Sequence, residues 1–283
     1  MGKYDEAYKY LFSNKTIFKE LIECFVKEDF VKDIDFKQIE LVDKSFVTDD
    51  FLKRESDVIY KLKINDAEAY IYILLEFQST VDKSIPVRML LYLIQFYDLL
   101  LRNSQKGKLP NVFPVMMYNG FDEWNIPSNV KDLIDNRIPM KYIPDFEYYK
   151  IIINDIPEES LLKLHNLVSA MMYLEKNKDE KKLREVIKNV IELIREENIL
   201  DVKMFARWIN RIFEKNICDE EIEKIKDITE VKSMLETLVE NIKKEGIKET
   251  EILIAKKMLK DKISIEIISK YTGLSLKEIE ELK

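Results

Sequence analysis

Two short apolar segments that alternate with polar positions predict a β-hairpin near residue 65. They read ESDVIYKLKI and AYIYILLEFQS and are joined by residues 65–68. A period of two is typical of β-strands, and four residues is a common hairpin loop. Symmetric closure pairs Ile64 with Ala69 and places Asp57 opposite Glu76, with Gln78 two residues further along the same face. The pattern therefore predicts two acidic side chains side by side at one end of a hairpin.

Burial favours this register over one that is shifted by a single residue. In the predicted register one face of the hairpin is wholly apolar, and the other face carries the two acids and two lysines. A shift of one residue would turn Asp57 and Glu76 to opposite faces and would place charges on the apolar face.

The apolar periodicity outside the hairpin predicts an α/β fold. It indicates a helix in residues 4–27, a strand at 39–47, a helix from a cap at Ser84 to about Arg102, and strands at 111–118 and 149–153. A helix of that length between two strands is the usual crossover between parallel neighbours. We therefore expect a mixed sheet with an antiparallel meander and a parallel addition.

The pattern after residue 155 is almost entirely helical. We expect a first domain at 1–155, a helical extension at 156–245 and a helix-turn-helix-like module at 246–283. In the last module Ser264 and Ser275 are predicted helix caps, and Gly273 is predicted to end the helix between them. Acids in the final helix would repel phosphates, which favours an interaction or oligomerisation role over reading of a nucleic-acid sequence.

The composition limits the chemistry that the chain can perform. It has 283 residues, of which 46% are hydrophobic, with two cysteines and one histidine. A single histidine excludes His-rich metal motifs and most Ser/His or Cys/His nucleophiles, and two distant cysteines exclude a disulfide framework. Neither a signal peptide nor a membrane span is expected, so we predict a cytoplasmic protein without a membrane partner.

The formal net charge of −7 is unfavourable for nucleic-acid binding over the whole surface. A local basic patch is sufficient for such binding, however. Basic residues that flank the acid pair in the sequence are Lys53, Arg54, Lys61, Lys63, Lys83 and Arg88.

Asp57 and Glu76 have two interpretations. Paired carboxylates hold Mg²⁺ ions, which bind scissile phosphate oxygens and lower the pKa of an attacking water. Alternatively the two acids are solvated strand-end residues, paired with Lys61 or Arg54. Like charges directly opposite each other destabilise a sheet unless a cation offsets them, and this favours the metal site.

Four segments of the first half of the chain also match a known pattern. They are YDEAYKYLF, SFVTDDFLKRESDVIYKL, YIYILLEFQSTVDKSIPVRMLLYLIQFY and LPNVFPVMMYNG. In this order they resemble the Rpn family of recombination-promoting nucleases (YhgA-like transposases) in the PD-(D/E)XK superfamily. The resemblance implies a restriction-endonuclease-like αβββαβ core and a Mg²⁺-dependent DNA endonuclease, with Mn²⁺ as substitute metal, linked to recombination or mobile elements. It also implies that Asp57 and Glu76 bind the metal.

Gln78 and three accessory residues complete the predicted site. Gln78 fills a position that is lysine in the wider superfamily, where a neutral amide orients water without supplying charge. Lys61 on the neighbouring strand and Lys9 on the first helix are candidates for the missing cation. Asp5 is a candidate accessory ligand, because the family has an acid of this N-terminal motif near its active site. A surface ion pair between Asp5 and Lys9 is the simpler alternative.

Arg88 and Lys83 are the predicted DNA-binding residues, because they follow the Gln78 strand directly in the sequence. We expect a homodimer, since one site of this kind cuts one strand. Two alternatives stay open. One is a catalytically weak or inactive nuclease-like scaffold that binds DNA or a protein partner, and the other is a helical interaction protein whose sheet is purely structural.

Overall fold

The structure is a computed structural model. It describes residues 3–42, 58–65, 67–76, 81–102, 108–120, 122–135, 137–177, 183–194, 197–212, 219–227, 229–231, 233, 237, 251–261 and 263–282. Within these ranges, every helix is too short or too polar to cross a membrane.

A mixed β-sheet forms the centre of the fold. In the described parts of the chain its strands are β1 (Glu40–Leu41), β2 (Val58–Ile64), β3 (Ala67–Glu76), β4 (Asn111–Tyr118) and β5 (Tyr149–Ile152), in that spatial order. The β1–β2 and β2–β3 pairs are antiparallel, whereas β3–β4 and β4–β5 are parallel. The predicted α/β fold with a restriction-endonuclease-like mixed sheet is confirmed.

Helices cover both faces of the sheet. In the described ranges the α-helices are α1 (Lys3–Phe12), α2 (Lys15–Phe25), α3 (Ile85–Arg102), α4 (Glu158–Leu162), α5 (Leu167–Lys176), α6 (Leu183–Leu193), α7 (Ile199–Ile212), α8 (Asp219–Lys224), α9 (Ile265–Thr272) and α10 (Leu276–Glu280). Residues 251–260 are also helical. The predicted crossover helix is confirmed as α3, which connects the parallel strands β3 and β4.

Two predicted elements differ from the structure near the N-terminus. The single helix expected at 4–27 is two helices, because the Asn14 side chain caps α2 by accepting hydrogen bonds from the backbone of Thr16 (2.7 Å) and Ile17 (3.2 Å). The strand expected at 39–47 is present as the short β1, and residues 43–57 lie outside the described part of the chain.

The hairpin loop is two residues shorter than predicted. Ile64 pairs with Ala67 rather than Ala69, so the loop is residues 65–66. Asn65 has a φ of 48°, a left-handed conformation that asparagine tolerates and that two-residue hairpin loops require. The register from which the direct opposition of Asp57 and Glu76 was inferred is therefore wrong by two residues. Because side chains alternate with a period of two, the correction leaves every strand position on its predicted face.

The two faces of the sheet have separate cores. Tyr60, Ile71 and Met117 belong to the face that packs on α1, α2 and α5–α7, where Trp208 contacts Tyr8 edge to face at 5.4 Å. This core extends across residue 155, so the helices that follow the sheet are part of the same hydrophobic cluster. The proposed domain boundaries stay a prediction.

The second face of the sheet is covered by α3. Tyr72 packs against Tyr92 (6.0 Å between ring centroids), and Tyr70 packs against Phe96 (5.0 Å). The helix therefore runs antiparallel to β3, with its N-terminus towards the C-terminal end of that strand.

The C-terminal helices have a small core of their own, which contains Ala255, Ile268, Leu274 and Ile279. The predicted ends of these helices are confirmed. Ser264 is at the N-cap position of α9 but its side chain makes no capping hydrogen bond, whereas Gly273 ends α9 with a left-handed φ of 77° and Ser275 forms a capping box with Glu278. Positive φ explains the glycine, because residues with a Cβ rarely adopt this conformation.

A belt of side-chain hydrogen bonds ties the ends of β4 and β5 to α5. The Asn119 amide donates to Glu175 Oε2 at 3.0 Å and to the Tyr8 hydroxyl at 3.4 Å. Asn154 donates to the carbonyl of Gly120 at 2.6 Å, and Lys176 Nζ donates to three carbonyls after β5. Glu175 is only 7% exposed, so the loss of a hydrogen-bond donor to its carboxylate should lower the free energy of unfolding.

We expect Asn119→Ala to lower the free energy of unfolding by about 1–3 kcal/mol, because it removes a hydrogen bond to a buried carboxylate. Urea titration measures this value. Gln38→Ala is the matched control, since Gln38 makes an amide–carboxylate hydrogen bond to Asp35 (2.7 Å) at an exposed site. An equal loss in both variants would contradict a structural role for the belt.

Glu20 of α2 contacts the N-terminus of α5, where its carboxylate accepts a hydrogen bond from the Val168 backbone at 3.2 Å. Burial, followed by repulsion from Glu197 and Asp201, raises the pKa of Glu20 to about 7 despite that hydrogen bond. The folded state therefore holds a proton that the unfolded chain releases near pH 4.5. The contribution of Glu20 to the free energy of unfolding is therefore fully present below pH 4.5, and it is lost as the pH rises to about 7.

Glu20→Gln is expected to remove this pH dependence, because a neutral amide can still accept the Val168 hydrogen bond. The variant should be more stable than the wild type by about 2–3 kcal/mol at pH 8, with a much smaller difference at pH 4.5. Urea titrations at the two pH values measure the difference. Glu23→Gln, at an exposed position of the same helix, is the control. A gain for Glu20→Gln that is the same at both pH values would contradict this assignment.

Candidate active site

The three parallel strands end at one edge of the sheet. Glu76 is the last residue of β3 and pairs with Tyr118, the last residue of β4, which pairs in turn with Ile152 at the end of β5. The carboxyl ends of parallel strands are the usual location of ligand sites in α/β sheets. The structure describes the backbone of Glu76 but not its side chain. By alternation, position 76 shares its sheet face with Tyr70 and Tyr72.

Asp57 and Gln78 lie outside the described residues. In the sequence, Asp57 directly precedes β2, and Gln78 follows the end of β3 by two positions. Among the side chains that the structure does describe, there is no group of three Asp, Glu, His or Cys residues that could hold a metal ion. The proposed ligand pair is thus neither confirmed nor contradicted and stays a prediction.

The first helix lies close to the same edge. α1 contacts β3, and the hydroxyl of its Tyr8 receives the hydrogen bond from Asn119, the first residue after β4. Asp5 and Lys9 belong to this helix, one turn before and one residue after Tyr8. The helix therefore lies near the strand ends, but it packs on the face of the sheet that is opposite to position 76. The side chain of Asp5 is not among those described. Their accessory roles stay predictions.

Lys61 is placed away from the other candidates. It pairs with Tyr70, six residues from Glu76 along β3, which corresponds to about 20 Å. Its ammonium group forms a 2.6 Å ion pair with Glu68. The hydrogen bond that Lys61 donates to the Glu68 carboxylate raises the pKa of Lys61. The residue is on the predicted face of the sheet, but this geometry does not support an accessory role beside Glu76.

Arg88 forms an ion pair with Asp82, an acid that was not among the predicted site residues. Its Nη1 donates to Asp82 Oδ2 at 2.6 Å, and its Nε donates to the Tyr92 hydroxyl at 3.4 Å. Burial works to raise the pKa of Asp82, but hydrogen bonds from Ser84 and Arg88 outweigh it, and the pKa is below its ordinary value. Asp82 therefore stays ionised and fixes the guanidinium one helical turn before Tyr92.

This position brings Arg88 towards the end of β3. Tyr92 contacts Tyr72, and α3 runs antiparallel to β3, so the preceding turn of the helix extends towards Glu76. The Arg88 side chain is about one-fifth exposed, whereas Lys83 is exposed in the turn before α3. Both predicted DNA-binding residues thus lie at the N-terminal end of α3, on the side of the candidate site.

The sequence did not predict roles for Asp82, Asn119 or Glu175. A weak signal for Asp82 is its position two residues before the predicted cap Ser84 and six before Arg88. Asn119 directly follows the predicted strand 111–118, and this position does not indicate its partners. Nothing in the sequence indicates its contact with Glu175, because the two residues are 56 positions apart.

Comparison with known proteins agrees with the resemblance seen in the sequence. The family described as "Putative transposase, YhgA-like" matches residues 2–204. The chain is 24% identical over 259 residues to recombination-promoting nuclease RpnA of Escherichia coli K12, covering 87% of this chain and 85% of the relative. It is 20% identical over 202 residues to nuclease RpnD of E. coli O157:H7, covering 68% and 74%.

A third relative has a different description. The inactive recombination-promoting nuclease-like protein RpnE of E. coli K12 is 21% identical over 299 aligned positions, covering 96% of this chain and 94% of the relative. No solved structure matches the chain significantly. Since the family match covers well over half of the sequence, the chain belongs to the YhgA-like transposase family.

Proposed function

We propose that the protein is a Mg²⁺-dependent DNA endonuclease with a role in recombination or in mobile elements. The observation that carries the proposal is the position of Glu76 at the C-terminal end of β3 in an αβββαβ core. The end of α3 that carries Arg88 extends towards the same edge. Relatives named recombination-promoting nucleases, similar over most of their length, support this reading.

Asp57 and Glu76 are the proposed metal ligands. Carboxylate oxygens are hard donors of the kind that Mg²⁺ prefers, and Mn²⁺ accepts the same donors. When bound, the metal would polarise the scissile phosphate and lower the pKa of a bound water. Both side chains therefore supply donor atoms that are suited to either metal.

The remaining residues orient the reactants. Gln78 accepts and donates hydrogen bonds through its amide, which suits it to position the attacking water. Arg88, fixed by Asp82, presents a guanidinium group to a non-bridging phosphate oxygen, and Lys83 adds charge at the exposed turn. Asp5 and Lys9 are the accessory candidates on α1, a helix that contacts β3. DNA is the proposed substrate.

A nuclease-like scaffold without activity is the second candidate. The observation that favours it is the similarity over 96% of this chain to a relative named as inactive. The neutral Gln78 points in the same direction, because it carries no charge to stabilise the transition state. Such a scaffold would bind DNA or a protein partner and would not cut.

Glu76→Ala and Asp57→Ala are expected to abolish Mg²⁺-dependent nicking of a supercoiled plasmid. The loss should exceed the roughly 10–100-fold that follows removal of a residue that only supports a metal ligand. Glu68→Ala is the matched control, because Glu68 is on the same strand and sheet face but at the turn end, paired with Lys61. It should cleave at the wild-type rate.

The same assay separates the two candidates. Cleavage that persists in both acid variants would contradict the proposed ligands. Binding of DNA by the wild type without cleavage in Mg²⁺ or Mn²⁺ would support the scaffold instead.

Arg88→Ala is expected to weaken DNA binding and to reduce the salt dependence of the binding constant by about one unit of slope, because one phosphate contact is lost. Fluorescence anisotropy at several salt concentrations measures both quantities. Arg137→Ala is the control, since Arg137 has a similar 2.7 Å ion pair with Asp135 but is largely exposed in the loop between β4 and β5. If Arg88→Ala leaves the salt dependence of the binding constant unchanged, Arg88 does not contact DNA phosphates.

A further inference from the structure

The outer face of α3 carries a regular row of exposed aliphatic side chains. Val87 is 53% exposed, Leu91 48%, Ile94 54% and Leu101 57%, and Asp98 is the polar member of the row. The spacing between successive members is four, three, four and three residues. This spacing is the heptad seam by which one helix packs against another, with side chains of each helix fitting between those of its partner.

The opposite face of α3 is already used within the chain. Met89, Tyr92, Phe96 and Leu100 are buried against the sheet. The helix is therefore apolar on two faces, and a helix that is apolar nearly all round is normally buried on all sides. The exposed row amounts to roughly 300–400 Å² of aliphatic surface, which is as large as the biggest patch on a typical monomer.

We infer that the exposed face of α3 packs against α3 of a second copy of this chain, with the two helices antiparallel. A heptad seam is suited to packing against another helix, and a two-fold axis supplies one with matching spacing. In a parallel pair each seam residue faces its own counterpart, so Asp98 would face Asp98 across the seam, and only the 2.7 Å ion pair that each makes with Arg102 of its own helix would offset the repulsion. In an antiparallel pair Asp98 faces a different seam position.

The exposed row supplies part of the area that a stable dimer needs. A standard interface takes about 800 Å² from each partner, of which the four seam residues supply somewhat less than half. The short 3-10 helix Val130–Leu133 packs against α3 and continues into the exposed Leu133 and Ile134. Both residues supply further exposed aliphatic surface on a segment that packs against α3.

The arrangement has a consequence for DNA cleavage that rests on the proposed function. α3 begins nine positions after Glu76, and it is about 27 Å long. Antiparallel pairing therefore places the two candidate sites towards opposite ends of one helix pair. Two sites related by a two-fold axis can cut the two antiparallel strands of a duplex, whereas a single site nicks one strand.

Sedimentation of the full chain over a concentration series tests the dimer without reference to activity. The wild type should sediment as twice the 33.8 kDa chain mass. Ile94→Glu should raise the dimer dissociation constant by at least about 30-fold, as expected for loss of a central contact. Leu253→Glu is the matched control, because Leu253 is 55% exposed but lies in the helical residues 251–260, which belong to the separate C-terminal core. It should leave the dimer intact.

A wild-type chain that is monomeric throughout the series, or an Ile94→Glu variant that dimerises as tightly as the wild type, would overturn the inference. If circular dichroism shows that Ile94→Glu is unfolded, Leu101→Glu near the end of the seam provides the same test. In a plasmid assay the monomeric variant should nick but should not linearise. Absence of cleavage in every protein would contradict the proposed function, while the sedimentation result would still decide the dimer.

Discussion

The packing of α3 on one face of β3 is the interaction on which the candidate site depends. The Tyr70–Phe96 and Tyr72–Tyr92 contacts fix the helix antiparallel to the strand, and the crossover then forces β4 to lie parallel to β3. As a result β3, β4 and β5 all end at one edge. The acid at the end of β3 and the basic residues before and within α3 are brought towards that edge by the same packing.

The hydrogen-bonded belt around Asn119 stabilises that edge from the other side. It connects the end of β4 to α1 through Tyr8 and to α5 through Glu175. A helix that follows the sheet by many residues thus helps to position the N-terminal helix beside the strand ends. The helices after residue 155 share a core with the sheet, so changes in them are expected to affect the site through packing.

Much of the fold could be predicted from periodicity, because burial on each face imposes a regular apolar pattern. The strands β2, β3 and β4 and the helix α3 follow from alternation and from the repeat at Met89, Tyr92 and Phe96. The hairpin register could not be predicted in this way, since a shift of two residues leaves the same side chains on the same face. The turn decided it, through the left-handed conformation of Asn65.

The candidate site was predictable only in part. Acids and bases close to each other in the sequence were found, including Glu76 and Arg88, whereas the Asn119–Glu175 contact depends on packing between distant segments. Lys61 was assigned by face alone, but its distance along the strand separates it from Glu76.

Crystals soaked in Mn²⁺, with anomalous diffraction data collected at the manganese edge, would show whether Asp57 and Glu76 share a metal ion. We expect an anomalous peak within coordination distance of both carboxylates, at the C-terminal edge of β3. Carboxylates that point apart in ordered density, with no manganese peak between them, would rule out the shared site.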